Sequence, residues 1–137
     1  MSSKEKRIGL VGVGRMGANM ARNLKDKGYQ VSCVNDVAKD VASALAQELG
    51  CSHAETLAEV TANSDVVLTV VTNDAAMEAI FFGEGDNLFT NASGKLFINC
   101  ATLSPAMHVK LEGAAAENGC QTLEGCMASS ITQAREG

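Results

Sequence analysis

Arg7-Ile8-Gly9-Leu10-Val11-Gly12-Val13-Gly14-Arg15-Met16-Gly17 is the stretch on which the reading of this 137-residue chain turns. Its first half is short, apolar, β-branched and flanked by glycine, the signature of a buried strand over residues 7–13. Its second half is G-x-G-x-x-G. Residues 15–27 then place Met16, Met20, Ala21 and Leu24 on one helical face, and Gly28 marks a stop. A strand, three spaced glycines and a helix in direct succession are the context that gives this pattern chemical meaning. Gly12 permits a tight turn, Gly14 keeps the backbone open to a pyrophosphate, and Gly17 lets the helix lie close on the strand. The N–H groups of the first helical turn have no partner inside the helix, and with the helix dipole they favour an anion. Gly12, Val13, Gly14, Arg15, Met16 and Gly17 thus read as a dinucleotide-binding turn. The plainer alternative is a strand–helix turn with packing glycines.

Outward from this turn, short apolar runs alternate with helical patterns. Strands are predicted over residues 30–34, 51–54, 65–71, 95–99 and 121–124, and helices over 38–49, 56–62, 74–81 and 104 to about 118. The run Asp65-Val66-Val67-Leu68-Thr69-Val70-Val71 is the strongest strand signal. Ser104-Pro105 opens a helix with Ser as N-cap and Pro at the first position. Residues 83–86, Gly-Glu-Gly-Asp, read as a loop. Strand–helix alternation implies a parallel sheet covered on both faces. The expected fold is therefore α/β: a Rossmann-type doubly wound parallel sheet in three layers, one domain over residues 1–137.

Composition agrees with a globular chain. Hydrophobic residues make up 46% and charged residues 20%, with no tryptophan. Val, Ile, Leu, Ala and Met are expected to build the core. A net charge of −5 without a basic cluster argues against nucleic acid as a partner. No apolar run reaches the ~20 residues of a membrane span, and residues 1–7 do not read as a signal peptide. Five cysteines, an odd count without a C-x-x-C pair, read as reduced thiols in a cytoplasmic protein. His53 and His108 have no metal-ligand spacing and read as structural, His108 exposed; no metal site is expected. Met16, Met20 and Met77 read as packing residues, Cys100 as an inert half-buried thiol.

The dinucleotide reading asks for an acidic residue ~20 positions after the glycine turn, at the end of the second strand. Asp36 falls 19 after Gly17. Its carboxylate suits the adenosine ribose hydroxyls and would repel the extra phosphate of NADP, so NAD is expected and NADP is the less favoured cofactor. Asp36 also reads as a cap for the helix near Ala38, Asn35 suits either role, and Lys39 stands within reach of a 2′-phosphate. Arg15 reads either as a pyrophosphate contact or as an exposed first-turn arginine.

The longer pattern, residues 8–23 (IGLVGVGRMGANMARN) with Leu24 and Gly28, resembles the opening of the β-hydroxyacid dehydrogenases. That group includes 3-hydroxyisobutyrate dehydrogenase, tartronate semialdehyde reductase and, more distantly, 6-phosphogluconate dehydrogenase. The resemblance extends over about residues 7–137. Residues 65–74 (DVVLTVVTND) are similar to the family's fourth strand and following loop. This places Val71, Thr72 and Asn73 where family backbone lines the ribose and nicotinamide side, with Thr72 in place of the usual proline. Residues 99–105 (NCATLSP) are similar to D-x-S-T-x-x-P, and Thr102 matches a family threonine near the nicotinamide ribose; Asn99 and Ala101 depart from Asp and Ser. NADP-dependent members follow an Asn with Arg at the end of the second strand. Here Asp36 follows Asn35, which favours NAD, although NAD-dependent members carry their acid at the position of Asn35. Residues 124–130 (EGCMASS) align with the substrate-gripping D-A-P-V-S-G-G, with Ser129 and Ser130 at its two glycines.

The resemblance implies an NAD(P)-dependent oxidoreductase of a small β-hydroxyacid or its semialdehyde, this chain being its dinucleotide-binding domain. The family's catalytic lysine and helical second domain lie beyond Gly137, so no catalytic residue is assigned here, and the isolated chain is expected to bind cofactor without efficient turnover. The alternative is a non-catalytic dinucleotide-binding or regulatory module. A small carboxylate substrate in the parent enzyme and self-association through an exposed face are further expectations.

Overall fold

The computed structural model describes residues 5–125. In chain order the elements are β1 (Arg7–Val11), α1 (Arg15–Asp26), β2 (Gln30–Asn35), α2 (Lys39–Leu49), β3 (Ser52–His53), α3 (Leu57–Ala62), β4 (Val66–Thr69), α4 (Asp74–Phe82), β5 (Leu96–Asn99), α5 (Pro105–Glu117) and β6 (Gln121–Glu124). The strands form one sheet in the order β3-β2-β1-β4-β5-β6, every neighbouring pair parallel. This is the expected doubly wound fold. The winding reverses between β1 and β4, the position where such sheets open a crevice at the carboxyl ends of their strands.

Helix starts follow from local chemistry. Thr56, Asn73 and Ser104 accept hydrogen bonds from Glu59 N–H (3.1 Å), Ala76 N–H (2.9 Å) and Met107 N–H (3.2 Å), capping α3, α4 and α5. Lys25 donates to the Leu49 carbonyl, joining α1 to the end of α2, and Arg22 meets Glu48 through two bonds of 2.7 and 2.9 Å. The first strand ends at Val11 rather than residue 13, because Gly12 turns the chain with φ +91°. Between Ile8 and Gly9 the β1–β2 register slips, leaving Ser32 extra, and its hydroxyl donates to the Ile8 carbonyl at 3.2 Å.

Alternation along the strands divides the core in two. Leu10, Val34 and Leu68 pack with Ala18, Ala21, Leu45 and Leu49 of α1 and α2. Val11, Cys33 and Val67 join the other cluster with Val60, Met77, Phe81, Met107 and Leu111 of α3, α4 and α5. The aliphatic core expected from composition is incomplete on this second side. Phe81 stands 4.8 Å from Phe89 and 5.3 Å from Phe97, and Phe82 lies 5.7 Å from Phe89, measured between ring centroids. All four phenylalanines therefore meet in one cluster. They reach it because the segment between α4 and β5, in which the sequence marks only residues 83–86 as a loop, buries Leu88, Phe89 and Ala92. Thr61 secures that segment by donating to the Leu88 carbonyl at 2.7 Å.

Cys33, Cys100 and Cys120 are buried, Cys51 is half-buried, and none of the four is in a disulfide; burial pushes the thiols of Cys33, Cys51 and Cys120 up from their ordinary value. Cys100 is thus more enclosed than expected. His108 also departs from expectation, being half-buried with its Nε2 in contact with the Glu124 carboxylate of β6. His53 lies in β3 with Nε2 buried and without a hydrogen-bond partner. Among the described residues no helix is long and apolar enough to cross a membrane.

Two outcomes are expected from this packing. A Cβ at Gly9 would stand 2.2 Å from the Ser64 hydroxyl oxygen and 3.2 Å from the Cys33 sulfur. Gly9→Ala should therefore lower stability by about 1–3 kcal/mol in urea unfolding, with Ser64→Ala in the same chain restoring part of it; an unchanged midpoint would contradict the close approach. Asp65 accepts from the Arg7 N–H at 2.8 Å and from its guanidinium, and these bonds hold its carboxyl below the usual range. A carboxyl depressed in the folded state stabilises above its unfolded value and loses that contribution as pH falls through the folded one. Asp65→Asn should accordingly flatten the loss of stability below about pH 4, measured by thermal melts across that range.

Candidate functional site

The glycine turn sits at the carboxyl end of β1, at the reversal of the winding. Gly12 donates its N–H to the Asn35 carbonyl at 2.9 Å. A Cβ on Gly12 would meet the Val70 carbonyl oxygen at 2.3 Å, and one on Gly17 would meet the Gly12 carbonyl oxygen at 2.0 Å. These two glycines therefore set the approach of β1, β4 and α1. Gly14 differs: its φ of −66° suits any residue, and a Cβ there would meet nothing within 4 Å. Gly14 faces open space as the N-cap of α1, whose first turn has no side-chain cap bond and no acidic residue. The N–H groups at this end project toward that space, and Arg15 is exposed beside them.

In front of the turn opens a cleft of about 680 Å³. The glycine turn supplies Gly12 and Gly14, the end of β2 supplies Asn35, Asp36 and Val37, and the chain after β4 supplies Val70, Val71 and Thr72. Asn35 is anchored by its side-chain N–H to the Ala54 carbonyl at 2.9 Å. Asp36 bridges the turn and the β2–α2 connection: one carboxylate oxygen accepts from Val13 N–H at 2.8 Å, the other from Ala38 N–H at 2.9 Å. Asp36 does not cap α2, whose N-cap is Ala38 without a side-chain cap bond; an ionised carboxylate has about four acceptor positions, and two are engaged by these N–H groups. Val13 has its side chain buried and its N–H on Asp36, so it serves the shape of the turn. Met16 is half-buried and lies outside both core clusters, unlike the buried Met77.

On the other side, Thr72 and Asn73 are exposed and Val71 is half-buried against the core. Thr102 is exposed in the connection between β5 and α5. The strand tips beneath are joined by the buried pair Thr69 and Asn99, the threonine hydroxyl donating to the Asn99 side-chain oxygen at 2.8 Å. Asn99 thus occupies a packed position that would desolvate the carboxylate of an Asp. Ser129 and Ser130 lie outside the described residues. No group of three or more His, Cys, Asp or Glu is placed to hold a metal among the described residues.

The cleft has walls that motif reading did not find. Val37 is 99% exposed, an apolar side chain held out at the rim directly after Asp36. Leu57 of α3 and Ile80 of α4 face it, with Glu55 and Asp86 at the edge. Asp86 is fixed by accepting from Leu57 N–H at 2.8 Å and Ala58 N–H at 2.9 Å. Only the position of Val37 carried a local signal, as the neighbour of the acidic residue. A second hollow of about 710 Å³, touching Lys6, Tyr29 and Lys95, lies at the opposite edge, away from the helix N-termini; parallel sheets bind ligands at the carboxyl edge.

The glycine geometry separates two substitutions. Gly17→Ala forces the Gly12 carbonyl aside and should cost about 1–3 kcal/mol of stability. Gly14→Ala should melt within a degree or two of the parent, since it meets no neighbour and removes a flexible residue. Equal melting temperatures for the two variants would contradict the assignment of the glycines.

Residues 7–137 match the family described as the NAD binding domain of 6-phosphogluconate dehydrogenase. The chain is 32% identical over 116 residues to 2-(hydroxymethyl)glutarate dehydrogenase of Eubacterium barkeri, covering 85% of this chain and 38% of that protein. It is 31% identical over 133 residues to the mitochondrial 3-hydroxyisobutyrate dehydrogenase of Drosophila melanogaster, covering 96% and 39%. A solved imine reductase variant from Myxococcus stipitatus in complex with NAD⁺ superposes with a TM-score of 0.82 at 23% identity, covering 93% of this chain and 43% of that one, a likeness of fold. The chain thus spans about two fifths of the length of the curated relatives it matches.

Proposed function

The chain belongs to the β-hydroxyacid dehydrogenase family, through the nicotinamide dinucleotide-binding domain it shares with 6-phosphogluconate dehydrogenase, and on that premise we propose that it takes NAD in preference to NADP at the cleft before the glycine turn. The observation that carries this reading is the pairing of Gly14, open above an uncapped helix N-terminus, with the acidic Asp36 beside the same turn. A pyrophosphate fits where a Cβ at Gly14 would intrude. The N–H groups of Gly14, Arg15 and Met16, with the Arg15 guanidinium, would hold it. Asp36, with Asn35 beside it, would accept from the adenosine ribose hydroxyls through its two free acceptor positions. Val37, Leu57 and Ile80 offer apolar faces to the adenine. Val71, Thr72, Asn73 and Thr102 border the nicotinamide half.

The preference for NAD is electrostatic. The cleft wall carries three carboxylates, Asp36, Glu55 and Asp86, against one lysine, Lys39. A 2′-phosphate beside Asp36 would meet like charge. When bound, the nicotinamide ring supplies hydride transfer; the protein's part is orientation and electrostatics. For the whole protein we propose a small β-hydroxyacid or its semialdehyde as substrate, with Ser129 and Ser130 near the substrate carboxylate.

Calorimetric titration with NAD⁺ and with NADP⁺ tests this. NAD⁺ should bind at least roughly tenfold tighter, a difference of about 1.4 kcal/mol, and Asp36→Arg should reverse the order. Gly14→Ala, stable as it is, should lose affinity for both. Tighter binding of NADP⁺ by the parent chain would refute the ribose assignment, and binding of neither would refute the site.

A further inference from the structure

Val70, Val71 and Thr72 of the connection after β4 line the cleft, and the connection after β5, residues 100–103, is tied to it; in the function proposed above both serve the nicotinamide half. At the strand tips they are joined by Cys100 N–H donating to the Thr69 carbonyl at 2.9 Å and by the buried Thr69–Asn99 bond at 2.8 Å. At the helix starts they are joined a second time. Ser104 donates its N–H to one carboxylate oxygen of Asp74 at 3.0 Å and its hydroxyl to the other at 2.6 Å. Between these two fixed cross-links run four residues of the first connection, 70–73, and three of the second, 101–103.

The outer link is more than helix capping requires. Asn73 already caps α4 through Ala76 N–H. Ser104 caps α5 as an acceptor from Met107 N–H, which leaves its own proton without a part in the cap. That proton goes to Asp74, as does the Ser104 N–H. A carboxylate in the first turn of α4 would be favourable facing solvent; instead both its oxygens are turned onto the next helix. The residues held between the links include the exposed Thr72, Asn73 and Thr102.

We propose that Asp74 and Ser104 are positioning residues that set the spacing of the two connections for the nicotinamide half of the cofactor, without touching the adenosine half. This rests on the dinucleotide reading of the glycine turn. Side chains that receive a ligand act through the groups that orient them, and small misplacements there are costly. The Ser104 bonds also hold the Asp74 carboxyl below the usual carboxylate range, so the link is intact at neutral pH.

The test compares calorimetric affinities for NAD⁺ and for ADP, which has the adenosine and both phosphates but no nicotinamide riboside, in the parent chain and three variants. Asp74→Ala removes the acceptor. Ser104→Asp retains an N-cap residue but sets a carboxylate against Asp74. Ser104→Thr retains the hydroxyl. The parent should bind NAD⁺ more tightly than ADP. Asp74→Ala and Ser104→Asp should each weaken NAD⁺ about tenfold, roughly 1.4 kcal/mol, while ADP affinity stays within about twofold, and Ser104→Thr should behave as the parent. Parallel loss of both ligands together with a lowered melting temperature would make the pair merely structural and overturn the proposal. So would unchanged NAD⁺ affinity in Asp74→Ala and Ser104→Asp, or a parent chain that holds ADP as tightly as NAD⁺. A parent that binds neither ligand would remove the dinucleotide reading itself, and this proposal with it.

Discussion

The backbone of Gly17 lies against the carbonyl of Gly12 at a distance that no side chain can share. This contact fixes how α1 leaves β1. With α1 seated there, its N-terminus points over the carboxyl edge of the sheet, and Ala18 and Ala21 pack into the core with Leu10 and Val34. The cleft takes its floor from the same turn, because Gly12 is also pressed against Val70 of the chain after β4. Asp36 completes the arrangement from the far side by accepting the Val13 N–H. Strand, helix and both flanking connections are thus referred to one close approach of backbone to backbone.

Most of the fold was legible because its signals are local. Glycine spacing, apolar runs and an N-cap residue such as Ser104 depend on neighbours within a few positions, and they place the elements to within a residue or two. The phenylalanine cluster was not legible in the same way. Phe81, Phe89 and Phe97 come from a helix, a loop and a strand, and nothing in the sequence around Phe89 distinguishes a buried loop from an exposed one. His108 was misread as exposed for a related reason: its partner, Glu124, stands on β6, and only the α5–β6 packing brings them together.

The candidate site divides along the same line. The glycine turn and Asp36 were identifiable from spacing, since the ligand chemistry they suit demands it. Leu57, Ile80 and Asp86 were not, because they enter the cleft from α3, from α4 and from the loop after α4, whose sequences serve packing and capping first. That Asp36 is shared between the turn and the cleft was also beyond reach of the sequence. A carboxylate at that position satisfies a ribose hydroxyl and a backbone N–H equally well, and only the folded chain shows Val13 next to it.

The capped helix starts have a consequence for the energetics of ligand capture. Three of the five connections on the carboxyl edge, those leading into α3, α4 and α5, are held at the helix end by a side chain of their own, Thr56, Asn73 or Ser104, so little freedom remains there for a ligand to remove. Ordering a loop on association opposes binding in proportion to the side chains and backbone that must be immobilised. Here that ordering accompanies folding itself, and a ligand meets a rim whose entropy has already been lost.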